Sequence, residues 1–257
     1  MLKKFFFAMD SLHAKNLLKD LEKFLSSNIN LINIAELAAT YNNLEIFDFN
    51  LDTPIKYFPE NGKIDKISLK LLPIDFNHLL PAKIKGDGNC LMNSLSFIYT
   101  ASEEYSAHFR LATLLELMAN YEFYLSIRLF EQDYIYSDHS INNNSTLHHT
   151  NIKYNKEGEF INELRSISQN HSFCSMVAIY GLASVIGHPI QSIYPPTSIK
   201  FLKEIFNSII NPRPESRRCN EEIFILWSVT DLSLWDLHTK FPSPNHFVAC
   251  FEYYEVM

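Results

Sequence analysis

Paired cysteines are missing from this sequence. Its four cysteines, Cys90, Cys174, Cys219 and Cys250, stand far apart with no C-x-x-C between them. That spacing excludes the common structural zinc sites and offers no disulfide framework, so neither a metal nor a cofactor is expected. Basic charge is also short: 22 Lys and Arg face 29 Asp and Glu, a net charge of −7. A protein held to nucleic acid by phosphate contacts needs the opposite balance. The densest basic group, Arg213, Arg217 and Arg218, is too small to line a groove. An acidic surface suits a partner rich in Arg or Lys instead. Long apolar runs are lacking too. Phe173 to Ile186 is the longest, and with its Ser and Gly it is too short to span a bilayer, so no membrane partner is expected. At Met1–Met9 the Phe5–Phe7 run is stopped by Asp10 well before a signal-peptide core. The expected site of action is the cytoplasm, or a cytosol to which the chain is delivered by another route.

What remains is the material of a folded domain. The chain has 257 residues, 47% hydrophobic and 20% charged, with 20 Phe and 13 Tyr to fill a core. Leu18, Leu21 and Leu25 repeat at helical spacing within residues 11–26, and a second helix is predicted over Ile34–Tyr41 with Asn33 as its cap. Residues 1–72 read as a helical N-terminal extension, and 73–257 as the main domain. There, Lys83–Lys85 is predicted as a short strand entering a tight turn. One long helix is predicted over Glu103–Ile127, and the polar stretch 132–156, with its run of Asn, reads as a surface loop. Helices follow at 159–169, 173–186 and 198–210, and strands at 189–194, 223–228 and 246–253. Helices ahead of a cluster of late strands predict an α/β (α+β) domain.

Glycine is scarce at six residues, yet two of the six, Gly86 and Gly88, flank Asp87. Glycine pairs allow backbone approaches that other residues resist. Immediately after Asn89, Cys90 opens an apolar helix. A thiol at a helix start meets free N–H groups and the positive end of the macrodipole, both of which lower its pKa and favour a developing oxyanion. The plainer alternative is a strand–turn–helix junction with a buried cysteine, which is often a small core residue. His78, His171 and His188 read as turn or surface residues. His139, His148 and His149 fall in the polar loop without metal-ligand spacing.

The stretch G-D-G-N-C-L-M-N-S-L resembles the D-G-N-C-L-[FY]-x-[SA] signature of the ovarian-tumour (OTU) family of cysteine-dependent deubiquitinases. Met92 stands where that family prefers an aromatic residue. Further blocks follow in the family's order: His108-Phe109-Arg110 with Met118 to Tyr124, Phe173 to Tyr194, and Asn245-His246-Phe247-Val248. The resemblance implies a papain-like OTU fold, a small central sheet flanked by helices. It implies Cys90 as nucleophile, His246 as general base and Asp87 as the aspartate that orders the oxyanion loop shaped by Gly88 and Asn89. The implied partner is ubiquitin or a polyubiquitin chain, or alternatively another ubiquitin-like modifier; an inactive binding module is the other alternative. Many family members orient the histidine with an Asp or Asn two residues later, but here that position is Val248. Asn245, Asp75 and Asp65 are the candidates to replace it.

Overall fold

The computed structural model describes residues 9–27, 29–42, 53–127, 155–235 and 244–253. The expectations for Met1–Phe7 and for most of the 132–156 loop, with His139, His148 and His149, lie outside the described residues.

Helix α1, Ser11–Leu25, starts where the Asp10 side chain accepts the His13 N–H at 2.7 Å, and it buries Ala14, Leu18, Leu21 and Leu25 along one stripe. Helix α2, Leu31–Asn42, begins three residues earlier than the predicted start at Ile34. The side chain of Asn30, not Asn33, caps it: its Oδ1 accepts the Asn33 N–H at 2.9 Å. Helix α3, Lys66–Leu71, is capped by Asp65, which accepts from Ile67 and Ser68 at 2.9 and 2.8 Å. Strand β1 is Leu79–Pro81. Lys83–Lys85 is not a strand: the Ala82 N–H still reaches Ala249 at 2.8 Å, but the Lys83 N–H turns away to the Lys63 carbonyl.

Helix α4 is Cys90–Thr100 and α5 is Ser106–Ala119. The predicted long helix breaks at Asn120, whose backbone leaves the helical region and whose side chain donates back to the Glu116 carbonyl at 3.1 Å; α6 resumes over Tyr121–Leu125. Then come α7, Lys156–Ser168, and α8, Met176–Ile186, closed by Gly187 at φ 72. Strand β2 is Ile190–Ile193 and α9 is Lys200–Phe206. The predicted 198–210 helix is shorter because its last residues, Ile209–Ile210, become strand β3 against β2. Strands β4, Ile223–Ser228, and β5, His246–Glu252, complete a five-stranded sheet in the order β1-β5-β4-β2-β3. Among the described strands only the β2–β4 pair is parallel. A mixed sheet with helices packed on it is an α+β fold.

Two features of this arrangement position the site. Strand β5 lies inside the sheet between β1 and β4, so its first residue, His246, is held by pairing with Ser228. Helix α5 packs against α1, α2, α4, α7 and α8, and carries a row of fully buried side chains. Packing and hydrogen bonds link the residues on either side of position 72. Side chains of α1 and α2 belong to the same core as the rest of the protein. Residues 55–63 are hydrogen-bonded to α4 and the sheet through Ile55 to Ile98 (2.8 Å), Phe58 to Glu252 (3.2 Å) and Glu252 to Lys56 (3.0 Å).

A continuous core makes α1 part of one cooperative unit. Leu18→Ala empties a site that is 1% exposed and is expected to lower stability by about 2–5 kcal/mol. Denaturant unfolding followed by fluorescence of Trp227 and Trp235, both within 73–257, checks this. A tryptophan transition that does not move would mean that α1 unfolds as a separate unit.

Candidate functional site

The turn before α4 is built around Asp87. Its Oδ1 accepts the Asn89 N–H at 3.0 Å and the Asn93 side-chain amide at 3.1 Å, so the carboxylate closes the turn and anchors it to the first coil of α4. Gly88 sits at φ 82, and a Cβ there would lie 1.8 Å from the His171 carbonyl oxygen. Only glycine fits that approach. Asn89, at the helix cap, donates to Asn170 at 3.1 Å and accepts the His171 N–H at 3.2 Å. The predicted loop residues Asp87, Gly88 and Asn89 therefore come together immediately ahead of Cys90.

A second wall of this turn, the segment after α7, was not singled out by the sequence. Arg110 on α5, fully buried, donates to the carbonyls of Gly88 (3.1 Å), Ser172 (2.9 Å) and Ile167 (3.0 Å). His171 adopts φ 64, and its Nδ1 lies 2.8 Å from the Asp87 carbonyl and 3.9 Å from the Asp87 carboxylate. The reading of His171 as a plain turn residue thus misses its contact with the Asp87–Asn89 turn. His188, read as a turn or surface residue, is buried, with Nδ1 3.1 Å from the Glu221 carbonyl. Arg110 did fall in the His108-Phe109-Arg110 block; its burial is what periodicity could not reveal.

Cys90 is 2% exposed. Burial pushes its thiol up to about 12, against hydrogen bonds from the backbone at Phe247 and Leu91 that pull it down; Cys174 and Asp87 nearby add to the rise. This corrects the expectation that a helix start leaves the thiol acidic. Desolvation of a thiolate outweighs the helix end here. The Phe247 backbone bond also ties the sulfur to β5, and the Ser94 hydroxyl donates to the Phe247 carbonyl at 3.3 Å. The first turn of α4 and the first residues of β5 are thereby joined.

His246, 3% exposed, is held neutral: burial lowers its pKa, while the Asp65 carboxylate, the Ile84 backbone and Asp87 raise it to a smaller extent. A backbone group that raises the pKa of a histidine acts through its carbonyl, so the main-chain oxygen of Ile84 accepts from the ring. Nδ1 is buried without a hydrogen-bond partner and passes close to Gly86. Neither Asn245 nor Asp75 orients the ring. Asn245 is engaged by Thr230, accepting its N–H at 3.0 Å and donating to its hydroxyl at 3.3 Å. Asp75 is exposed on the turn Ile74–Phe76, and its charge is not among those acting on His246. Val248 shares the His246 face of β5 and is fully buried. Beside the site, Phe173 stacks on Phe247 with ring centres 5.0 Å apart, and Trp227 lies 4.4 Å from Phe247. Among the described residues no group of His, Cys, Asp or Glu could hold a metal ion, and no helix is long and apolar enough to cross a membrane.

A family model described as the OTU domain of Vertnin matches residues 81–228, which take in the turn and Cys90 and stop before His246. Vertnin of Bos taurus is 25% identical over 181 residues, covering 68% of this chain and 27% of that protein. Vertnin of Homo sapiens is 26% identical over 172 residues, covering 65% and 24%, and that of Danio rerio 27% over 169 residues, covering 64% and 25%. The chain spans about a quarter of the length of these curated relatives. Among solved structures, the OTU domain of OTUD1 aligns over 73% of this chain and 100% of that one, at 13% identity and a TM-score of 0.37.

Two outcomes follow from the turn and the thiol. Gly88→Ala forces a side chain into the His171 backbone at a left-handed φ, and is expected to cost at least about 1–3 kcal/mol in stability, read from the denaturation midpoint. A thiol raised by burial is protonated until the pH climbs towards its own pKa. Alkylation of Cys90 by iodoacetamide, followed by mass spectrometry, should therefore keep rising from about pH 7 to about pH 10 without a plateau. A rate already flat near neutrality would mean a preformed thiolate–imidazolium pair.

Proposed function

The chain belongs to the Vertnin OTU-domain family, and from that premise we propose that it is a cysteine peptidase that removes ubiquitin by hydrolysing the isopeptide bond at the ubiquitin C-terminus. The observation that carries this reading is the junction of α4 and β5. Cys90, at the helix start behind the Asp87 turn, is hydrogen-bonded by the backbone of the residue next to His246. In this reading the Cys90 thiolate attacks the isopeptide carbonyl, His246 takes the thiol proton and then passes it to the departing lysine amine, and water hydrolyses the thioester.

The electrostatics support a base-assisted route over a resting ion pair. A histidine whose pKa is lowered by burial is neutral at physiological pH and free to accept a proton. A thiol pushed up to about 12 needs such a base. Once the imidazolium forms, the Asp65 carboxylate and the Ile84 carbonyl stabilise it. The oxyanion falls to the amides at the head of the helix. Among the described residues the N–H groups of Gly88 and Cys90 donate to no protein acceptor, whereas that of Asn89 is taken by Asp87.

A second reading has its own support. The thiol is buried as well as raised in pKa, as in a module that binds ubiquitin without cutting it. Reaction with ubiquitin-propargylamide separates the two. The peptidase reading expects a covalent adduct on Cys90 in the wild type, and a loss of about 10⁴-fold or more in turnover of a ubiquitin–fluorophore substrate in Cys90→Ala with affinity retained. Ubiquitin binding with no adduct would favour the silent module. Absence of both would point to another ubiquitin-like modifier, tested with the matching probes.

A further inference from the structure

The peptide between Asp87 and Gly88 is fixed by a residue from another part of the chain. His171 Nδ1 lies 2.8 Å from the Asp87 carbonyl oxygen. It also lies 3.1 Å from Asn89 Nδ2, but that amide is already directed at Asn170 while Asn89 Oδ1 accepts the His171 N–H. A carbonyl oxygen can only accept, so the 2.8 Å contact is a hydrogen bond only if Nδ1 carries hydrogen and donates to Asp87. A trans peptide is planar, with its C=O and N–H pointing in opposite directions. Holding the Asp87 oxygen toward His171 therefore aims the Gly88 N–H away from His171, out of the turn. The neighbouring peptide is fixed in the same way: Arg110 holds the Gly88 carbonyl at 3.1 Å and the Asn89 N–H meets the Asp87 carboxylate at 3.0 Å. Of these two amides, that of Gly88 has no protein acceptor among the described residues.

We propose that His171 is a positioning residue whose Nδ1–H locks the Asp87–Gly88 peptide, so that the Gly88 N–H is presented as an oxyanion donor beside Cys90. The proposal rests on the peptidase reading for its catalytic consequence, and on the turn geometry alone for the lock. The backbone of His171 explains its own placement. It lies at φ 64, a conformation Gly and Asn adopt with little strain. Those two residues supply the test. His171→Gly keeps the backbone and removes the donor. His171→Asn keeps the backbone and offers a side-chain N–H at the same number of bonds from Cα as Nδ1.

Ubiquitin–fluorophore turnover is expected to fall at least about tenfold in kcat in His171→Gly with KM unchanged, because the lost interaction acts in the transition state, and His171→Asn should recover most of it. Alkylation of Cys90 by iodoacetamide develops no oxyanion and should stay within about twofold of wild type in both variants. A loss that appeared equally in alkylation, or in KM, would mean general disruption of the turn and would overturn the proposal. A direct readout works whether or not the wild type hydrolyses ubiquitin. With six glycines in the chain, glycine-selective 15N labelling isolates the Gly88 amide in a short list of cross-peaks. That peak should move in His171→Gly and return in His171→Asn. An unmoved Gly88 peak would refute the lock, whereas a wild type with no turnover but a peak that moves and returns would refute only the peptidase reading.

Discussion

Arg110 carries a full positive charge into the interior, and among the described residues no carboxylate meets it. Its guanidinium instead finds the carbonyls of Gly88, Ile167 and Ser172, with the Cys174 thiol alongside. A buried charge is costly unless hydrogen bonds replace its water. The cost is offset only while those carbonyls stay aimed at one point, so the guanidinium dictates the path of two separate stretches of backbone. One is the turn ahead of Cys90; the other is the segment that brings Asn170 and His171 against it. Because α5 also packs on α1, α2, α4, α7 and α8, the arginine is fixed from behind by most of the helical layer. The geometry around Cys90 is inherited from that packing.

The same burial that makes Arg110 demanding sets the chemistry of the two titratable groups at the α4–β5 junction. Cys90 and His246 are both withdrawn from water, and withdrawal favours the neutral form of each. A neutral thiol and a neutral imidazole make a stable resting state that does little chemistry by itself. Charge separation becomes favourable only when donors and carboxylates are already in place to receive it. The Asp65 charge and the Ile84 carbonyl act on the imidazole, and the backbone N–H groups of Leu91 and Phe247 act on the sulfur. The site is preorganised for charges it does not yet carry.

Much of this was legible in the sequence, for identifiable reasons. The stripe of Ala14, Leu18, Leu21 and Leu25 and the strands at 223–228 and 246–252 were readable because a single periodicity governs each. The Asp87–Cys90 turn was readable because two of very few glycines mark it. What was not legible depends on backbone atoms. The hydrogen-bonding acceptor at His246 is a main-chain carbonyl, which no residue type announces; of the three side chains the sequence offered, Asp65 acts on the ring through its charge, while Asn245 is engaged by Thr230 and Asp75 is exposed. The cap of α2 was misplaced because Asn30 and Asn33 are equally good capping residues and only the fold selects between them. Likewise, nothing in the composition of Lys83–Lys85 says that its amides leave the sheet for Lys63.

Strand β5 has a bearing on how the molecule comes into being. It comes after the other described strands along the chain yet lies inside the sheet, pairing Glu252 with Leu79 on one side and His246 with Ser228 on the other. Contacts so distant along the chain close slowly, and they close late. A nascent polypeptide emerging from the ribosome can form α1, α4 and α5 early, but among the described strands β1 has no pairing partner until the one beginning at His246 arrives. The same strand brings the imidazole. Completion of the sheet and placement of His246 at the α4–β5 junction are therefore one event.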